Sequence, residues 1–107
     1  MTVINLYWAL RADGDRKAGL MIEAARNTDL DTLDVIRGWV EQLTAQAVLR
    51  AGTTITVHGH TATIRQPRQP ELTLNTGDWI IHASDRVLIV NDDAFHADYS
   101  AKPPVHI

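Results

Sequence analysis

Apolar and polar residues alternate most regularly over residues 53–64, TTITVHGHTATI, where Ile55, Val57, Ala62 and Ile64 share one face and threonines the other. A period of two is that of a strand with one buried face. A turn centred on Gly59 and His60 sets Ile55 opposite Ile64 and Val57 opposite Ala62, so register and turn agree on a hairpin. Two denser runs, residues 79–81 and 87–90, are separated by Ala83, Ser84, Asp85 and Arg86. With Ser84 and Asp85 as the central turn residues, Ile81 faces Leu88, Trp79 faces Val90 and Ile80 faces Ile89. This second hairpin is apolar on both faces, so other elements or a partner must cover it on each side. Between the hairpins, residues 65–70 (RQPRQP) form a Pro-punctuated connector. Leu72 and Leu74 then begin a further strand before Asn75, Thr76 and Gly77 turn the chain.

Helical spacing is clearest over residues 32–49, where Leu33, Ile36, Val40, Leu43, Ala47 and Val48 make one stripe. Thr28, Asp29 and Asp31 are cap candidates, and Gly52 is the natural stop. Over residues 16–27 the positions Ala18, Met21, Ile22 and Ala25 also follow helical spacing, although Gly19 costs such a helix about 1 kcal/mol relative to Ala. Residues 2–10 (TVINLYWAL) are too short a run to assign by periodicity and fit a strand or a short capped helix. Asp13, Gly14 and Asp15 read as a turn. After the second hairpin, Asn91, Asp92 and Asp93 cap a helical turn that places Phe95 and Tyr99 four apart, both folding back over the ribbon. Residues 101–107, with Pro103 and Pro104, read as an extended tail. Helices first and strands afterwards predict an α+β fold: a helical N-terminal half packed on a small, mainly antiparallel sheet of two hairpins. One domain is expected, its helical half at about 1–51 and its β-rich half at about 53–99.

The length of 107 residues suffices for one modest core. With no cysteine, disulfide staples and thiolate chemistry are excluded, which fits a reducing cytoplasm. No window is long and apolar enough to span a membrane, and residues 1–10 lack the features of a signal peptide. A net charge of −3 and a pI near 5.9 argue against non-specific nucleic-acid binding. A DNA-reading helix would also be basic, whereas residues 32–49 carry only Arg37 against Asp34 and Glu41.

Candidate chemistry is sparse. His58 and His60, two apart, share a face in an extended strand, and His82 is a third candidate metal ligand. Gly59 breaks that alternation, and no Cys or Glu follows at ligand spacing, so a solvated turn explains them better. No nucleophile elbow, phosphate loop or dinucleotide fingerprint is present, and turn chemistry accounts for the adjacent Ser84 and Asp85. Asp92 and Asp93 read as a cap, His96 and His106 as solvated surface. Arg65 and Arg68 are solvated or contact phosphate or an acidic partner. No catalytic residue and no cofactor is expected. Trp8, Trp39 and Trp79 are core candidates. Trp39, at the edge of the helical stripe, is also an interface anchor, and Arg37, Trp39, Phe95 and Tyr99 are the expected partner-binding residues.

Residues 77–99, with Gly77, Asp78, Trp79, Ile80 and Ile81 before a hairpin, an aspartate, and then Phe95 and Tyr99, resemble the C-terminal module of small uncharacterised proteins of tailed phages and prophages. That family usually carries Gly in the hairpin turn and an aromatic-plus-Pro step before the Asp. Here Ala83, Ser84 and Asp85 form the turn, and Val87, Leu88 and Ile89 replace the step. The resemblance covers about a quarter of the chain and transfers no catalytic residue. It implies a phage or prophage accessory protein, cytoplasmic in the bacterial host, that binds a host protein in replication, division or defence. A small phage regulator or virion-associated component is one alternative, a histidine-dependent metal protein or hydrolase the other. The doubly apolar hairpin further predicts self-association, most simply a homodimer.

Overall fold

The computed structural model describes residues 3–10 and 16–101. Its chain order is β1 (Asn5–Leu10), β2 (Arg16–Arg26), α1 (Leu30–Ala45), β3 (Thr54–His58), β4 (Thr61–Arg65), β5 (Leu72–Leu74), β6 (Trp79–Ala83), β7 (Arg86–Val90), α2 (Asp92–Asp98) and β8 (Tyr99–Ala101). The strands form a five-stranded sheet of order β7-β6-β2-β1-β8 and a three-stranded sheet of order β3-β4-β5. All pairings are antiparallel. The expected α+β fold, a helical N-terminal half packed on one small sheet of two hairpins, is therefore corrected: the chain is sheet-dominated, its first two elements are strands, and the two hairpins lie in different sheets.

The error lies in β2. Its register places Ala24 opposite Ile81 and Ala25 opposite Ile80, and both alanines are fully buried, on opposite faces. A central strand covered on both faces loses the two-residue alternation, and its apolar run then fits helical spacing equally well. The open choice for residues 2–10 resolves to a strand over its described part, with Asn5 to Trp8 paired to Ala24 to Met21 and a register shift between Trp8 and Leu10. The ring of Trp8, the turn at residues 13–15 and the tail beyond residue 101, His106 included, lie outside the described residues.

Both hairpins form in the expected registers. The five-stranded sheet has two covered faces. On one, Ala25, Ile80 and Val87 join Leu33, Ile36 and Val40 of α1 and Ile55, Ala62, Ile64 and Leu74 of the smaller sheet in a single core. On the other, α2 lays Phe95 flat on Trp79, ring centroids 3.7 Å apart, with Tyr7 edge-on to both rings. The Trp79 indole N–H donates to Asp92 at 2.8 Å, and Arg26 and His96 approach the same carboxylate oxygen. These contacts hold the Asp92 carboxyl below the usual aspartate range, the indole hydrogen bond first among them. The doubly apolar hairpin thus finds cover on each side within its own chain, although Leu88 remains 37% exposed.

Asp29 caps α1, accepting from the Thr32 backbone N–H at 2.8 Å. The helix ends at Ala45, short of the expected residue 49. Ala47 turns to φ 61°, Val48 N–H bonds Leu43 C=O at 2.9 Å, and Ala47 N–H bonds Thr44 C=O at 3.1 Å, a Schellman closure with alanine at the glycine position. Leu49 then folds back into the core. Gly52, the expected stop, lies beyond this closure with φ 95°.

Two buried amides tie the pieces together. Gln66 accepts from Val87 N–H at 2.7 Å and donates to Val87 C=O at 3.0 Å, joining the end of β4 to the outer edge of β7. Asn27 donates to His60 C=O at 2.9 Å while its backbone bonds Gly77 and Asp78. No helix among the described residues is long and apolar enough to cross a membrane.

Candidate functional site

Side chains in register across an antiparallel sheet share a face, so Leu6, Glu23, His82 and Val87 form one row across β1, β2, β6 and β7. This row lies on the face that α1 covers. The Trp39 indole of α1 stands edge-on to the His82 ring, centroids 6.3 Å apart and planes at 85°. His82 Nδ1 faces Glu23 Oε1 at 3.3 Å, and its Nε2 faces the Ser84 backbone carbonyl at 2.8 Å. Both partners are acceptors, so a neutral imidazole donates to only one of them, and only the doubly protonated ring donates to both. At the far end of the row Leu6 is 40% exposed, and Val35, one helical turn before Trp39, is 43% exposed. This face thus brings together a half-buried indole, the His82 imidazole and the Glu23 carboxylate, with exposed aliphatic groups on α1 and β1.

The expected partner-binding residues do not form one patch. Two helical positions apart are about 200° around the axis, so Arg37 and Trp39 lie on opposite flanks of α1. Arg37 is engaged by Asp34 at 2.6 Å and Glu41 at 3.0 Å, and these carboxylates, Asp34 foremost, raise the guanidinium pKa. Phe95 is 1% exposed and Tyr99 stacks against it, both on the other face of the sheet. Phe95 is core, so the expectation of a solvent side on its ring is corrected. Burial pushes the Tyr99 phenol up. Trp39 is half-buried on the face that α1 covers, apart from the other three.

The three histidines named as weak metal candidates go to three places. His82 lies under Trp39, His60 occupies the β3–β4 turn, and His58 lies on the outer face of the smaller sheet. Among the described residues no group of three or more His, Asp or Glu side chains is arranged to hold a metal. His58 borders an open concavity of about 240 Å³ lined also by Thr54, Thr56, Thr63, Arg65 and Glu71, in which Arg65 is paired with Glu71 at 3.3 Å. Glu23 escaped the sequence reading because a helix over residues 16–27 separates it from His82. A strand pairing of that run with the second hairpin would have placed them opposite one another. Comparison of the chain with family models, curated proteins and solved structures finds no match.

Proposed function

We propose that this chain is a non-enzymatic accessory protein of a phage or prophage that binds a bacterial host protein, and that the Trp39 flank of α1 is its contact surface. The observation that carries the site is the seating of Trp39: its indole rests on His82, which Glu23 and Ser84 hold from both sides. An aromatic anchor already fixed in place loses little freedom on association, and the exposed Val35 lies one helical turn before it. Glu23 at the rim suits a partner that offers a basic group beside an apolar one. The phage assignment rests on the resemblance of residues 77–99.

The test is affinity capture from a bacterial lysate with the wild type, Trp39→Ala and Arg37→Ala, each first shown to be folded by circular dichroism. A specific host protein retained by the wild type and Arg37→Ala but lost by Trp39→Ala is the expected result. Capture that survives Trp39→Ala, or recovery of nucleic acid instead, overturns the assignment.

A further inference from the structure

Among the described histidines only His82 is largely withdrawn from solvent, its side chain 15% exposed, and its ring stands between two acceptors of different character. The nearer is the Ser84 carbonyl, 2.8 Å from Nε2, a backbone group fixed in the β6–β7 turn. The farther is Glu23 Oε1, 3.3 Å from Nδ1, at the end of a side chain that is 42% exposed and free to swing away. A neutral imidazole has one N–H and one lone pair, so one of its nitrogens must face an acceptor without a proton. The fixed carbonyl has the stronger claim on the single proton, because the carboxylate can leave and the carbonyl cannot.

We propose that His82 and Glu23 form a proton-operated latch between β6 and β2. With the ring neutral, its proton sits on Nε2 and bonds Ser84, the Nδ1 lone pair repels the carboxylate, and the latch is open. With the ring doubly protonated, Nδ1–H donates to Glu23 in a charge-assisted hydrogen bond, and the latch is closed. The other groups around the ring leave this pair undisturbed. From β7 the ring meets Val87, its cross-strand neighbour, and from α1 the Trp39 indole. Arg86 is paired with Ala83, so its side chain lies on the opposite face of the sheet. Asp85 is taken by Arg50 at 2.6 Å, and Asp34, Arg37 and Glu41 bind one another on the other flank of α1. Among the described residues Glu23 is thus the one charged group in contact with the ring. A closed latch is a neutral ion pair and an open one a bare carboxylate, so the face that α1 covers becomes more negative as the latch opens. This inference does not rest on the reading of Trp39 as an anchor, and its test uses no partner.

Urea unfolding of the wild type and Glu23→Gln at about pH 5.5 and about pH 8 reads the latch, since these bracket the ordinary histidine value of about 6.5 and lie above the ordinary glutamate value of about 4.3. Glutamine offers the protonated ring only an uncharged acceptor, whereas its N–H donates to the Nδ1 lone pair of the neutral ring. Relative to the wild type, the urea midpoint of Glu23→Gln is therefore expected to fall further at pH 5.5 than at pH 8. In a His82→Gln background the same change is expected to shift the midpoint equally at both pH values, which separates the latch from any other contribution of Glu23. Nitrogen-15 NMR of the wild-type ring at pH 8, assigned by the signal lost in His82→Gln, is expected to show the proton chiefly on Nε2. A Glu23→Gln shift as large at pH 8 as at pH 5.5, a pH-dependent shift that survives His82→Gln, or a neutral ring protonated chiefly on Nδ1 overturns the proposal.

Discussion

Gln66 is 8% exposed, and its amide satisfies both backbone groups of the fully buried Val87. Gln66→Met keeps the side-chain volume but leaves that N–H and C=O unpaired, and each buried unpaired group costs about 1–3 kcal/mol, so a loss of about 2–4 kcal/mol is expected. Gln66→Glu is the sharper perturbation because it is nearly isosteric. Its carboxylate still accepts from Val87 N–H but turns a charge towards Val87 C=O, whereas the protonated carboxyl donates to that oxygen and restores both bonds. The folded state thus raises the pKa of the introduced group above its unfolded value of about 4.3. Below that value both states are protonated and the variant matches the wild type. The deficit opens as pH rises through about 4.3 and is complete above the raised folded value. Urea unfolding of wild type and both variants at pH 4 and pH 7 reads this as a difference between chains. A Gln66→Met deficit equal at the two pH values, beside a Gln66→Glu deficit confined to pH 7, is expected. Equal deficits of Gln66→Glu at both pH values, or a Gln66→Met loss below about 0.5 kcal/mol, refute the pairing as an energetic link.

Trp79→Ala removes the ring stacked on Phe95 and the donor to Asp92, and should cost about 3–5 kcal/mol in denaturant unfolding, while His60→Ala, whose ring is exposed in the β3–β4 turn, should stay within about 0.5 kcal/mol. Ala47→Gly, at φ 61° in the α1 closure, should stabilise by about 0.5–1 kcal/mol, since relief of the left-handed penalty exceeds the extra freedom of glycine in the unfolded chain. A lower melting temperature for that variant would contradict the Schellman assignment. Asp29, Asp85 and Asp92 all titrate below the usual aspartate value of 3.8, held respectively by Thr32, by Arg50 and by the Trp79 indole. Their contribution is complete above 3.8 and lost as pH falls through the lower folded values, so the urea midpoint should drop at acid pH and do so less steeply in Asp92→Asn.

Local signals were legible wherever one face of an element meets solvent. The threonine face of β3 and β4 preserves alternation, and with the turn at Gly59 it fixed the register residue by residue. The apolar β6–β7 hairpin was legible through its turn, since Ser84 and Asp85 leave one centred register. β2 was misread because alanine is small enough for a closely covered central strand and is also the best helix former, so Ala24 and Ala25 carry no preference that tells the two apart. The end of α1 was misplaced for a related reason: the stripe continues through Ala47 and Val48, and only the backbone reveals alanine at a position that favours glycine. The candidate site inherited the first of these errors. Residue type marks Arg37, Trp39, Phe95 and Tyr99 as contact candidates, whereas their placement depends on which sheet face each element covers, a property of the topology.

Burial accounts for the layers of this fold but not for their relative position, because apolar contact is non-directional and tolerates sliding. Polar side chains supply the direction, three of them among the described residues being Gln66, Asn27 and Asp92. Gln66 fixes the smaller sheet against β7, Asn27 fixes the β3–β4 turn against the segment entering β6, and Asp92 fixes α2 through the Trp79 indole. α1 starts three residues after Asn27 and packs in the core that Gln66 closes, so the seat of Trp39 is set by the same two amides. His82 then completes the seat from below, held by Glu23 and by the carbonyl of Ser84 at φ 60° in the turn. The rigidity that the proposed anchor requires is therefore traceable to buried hydrogen bonds on elements distant in sequence, and, on that proposal, loosening either amide should weaken binding at Trp39 without altering the proposed contact surface itself.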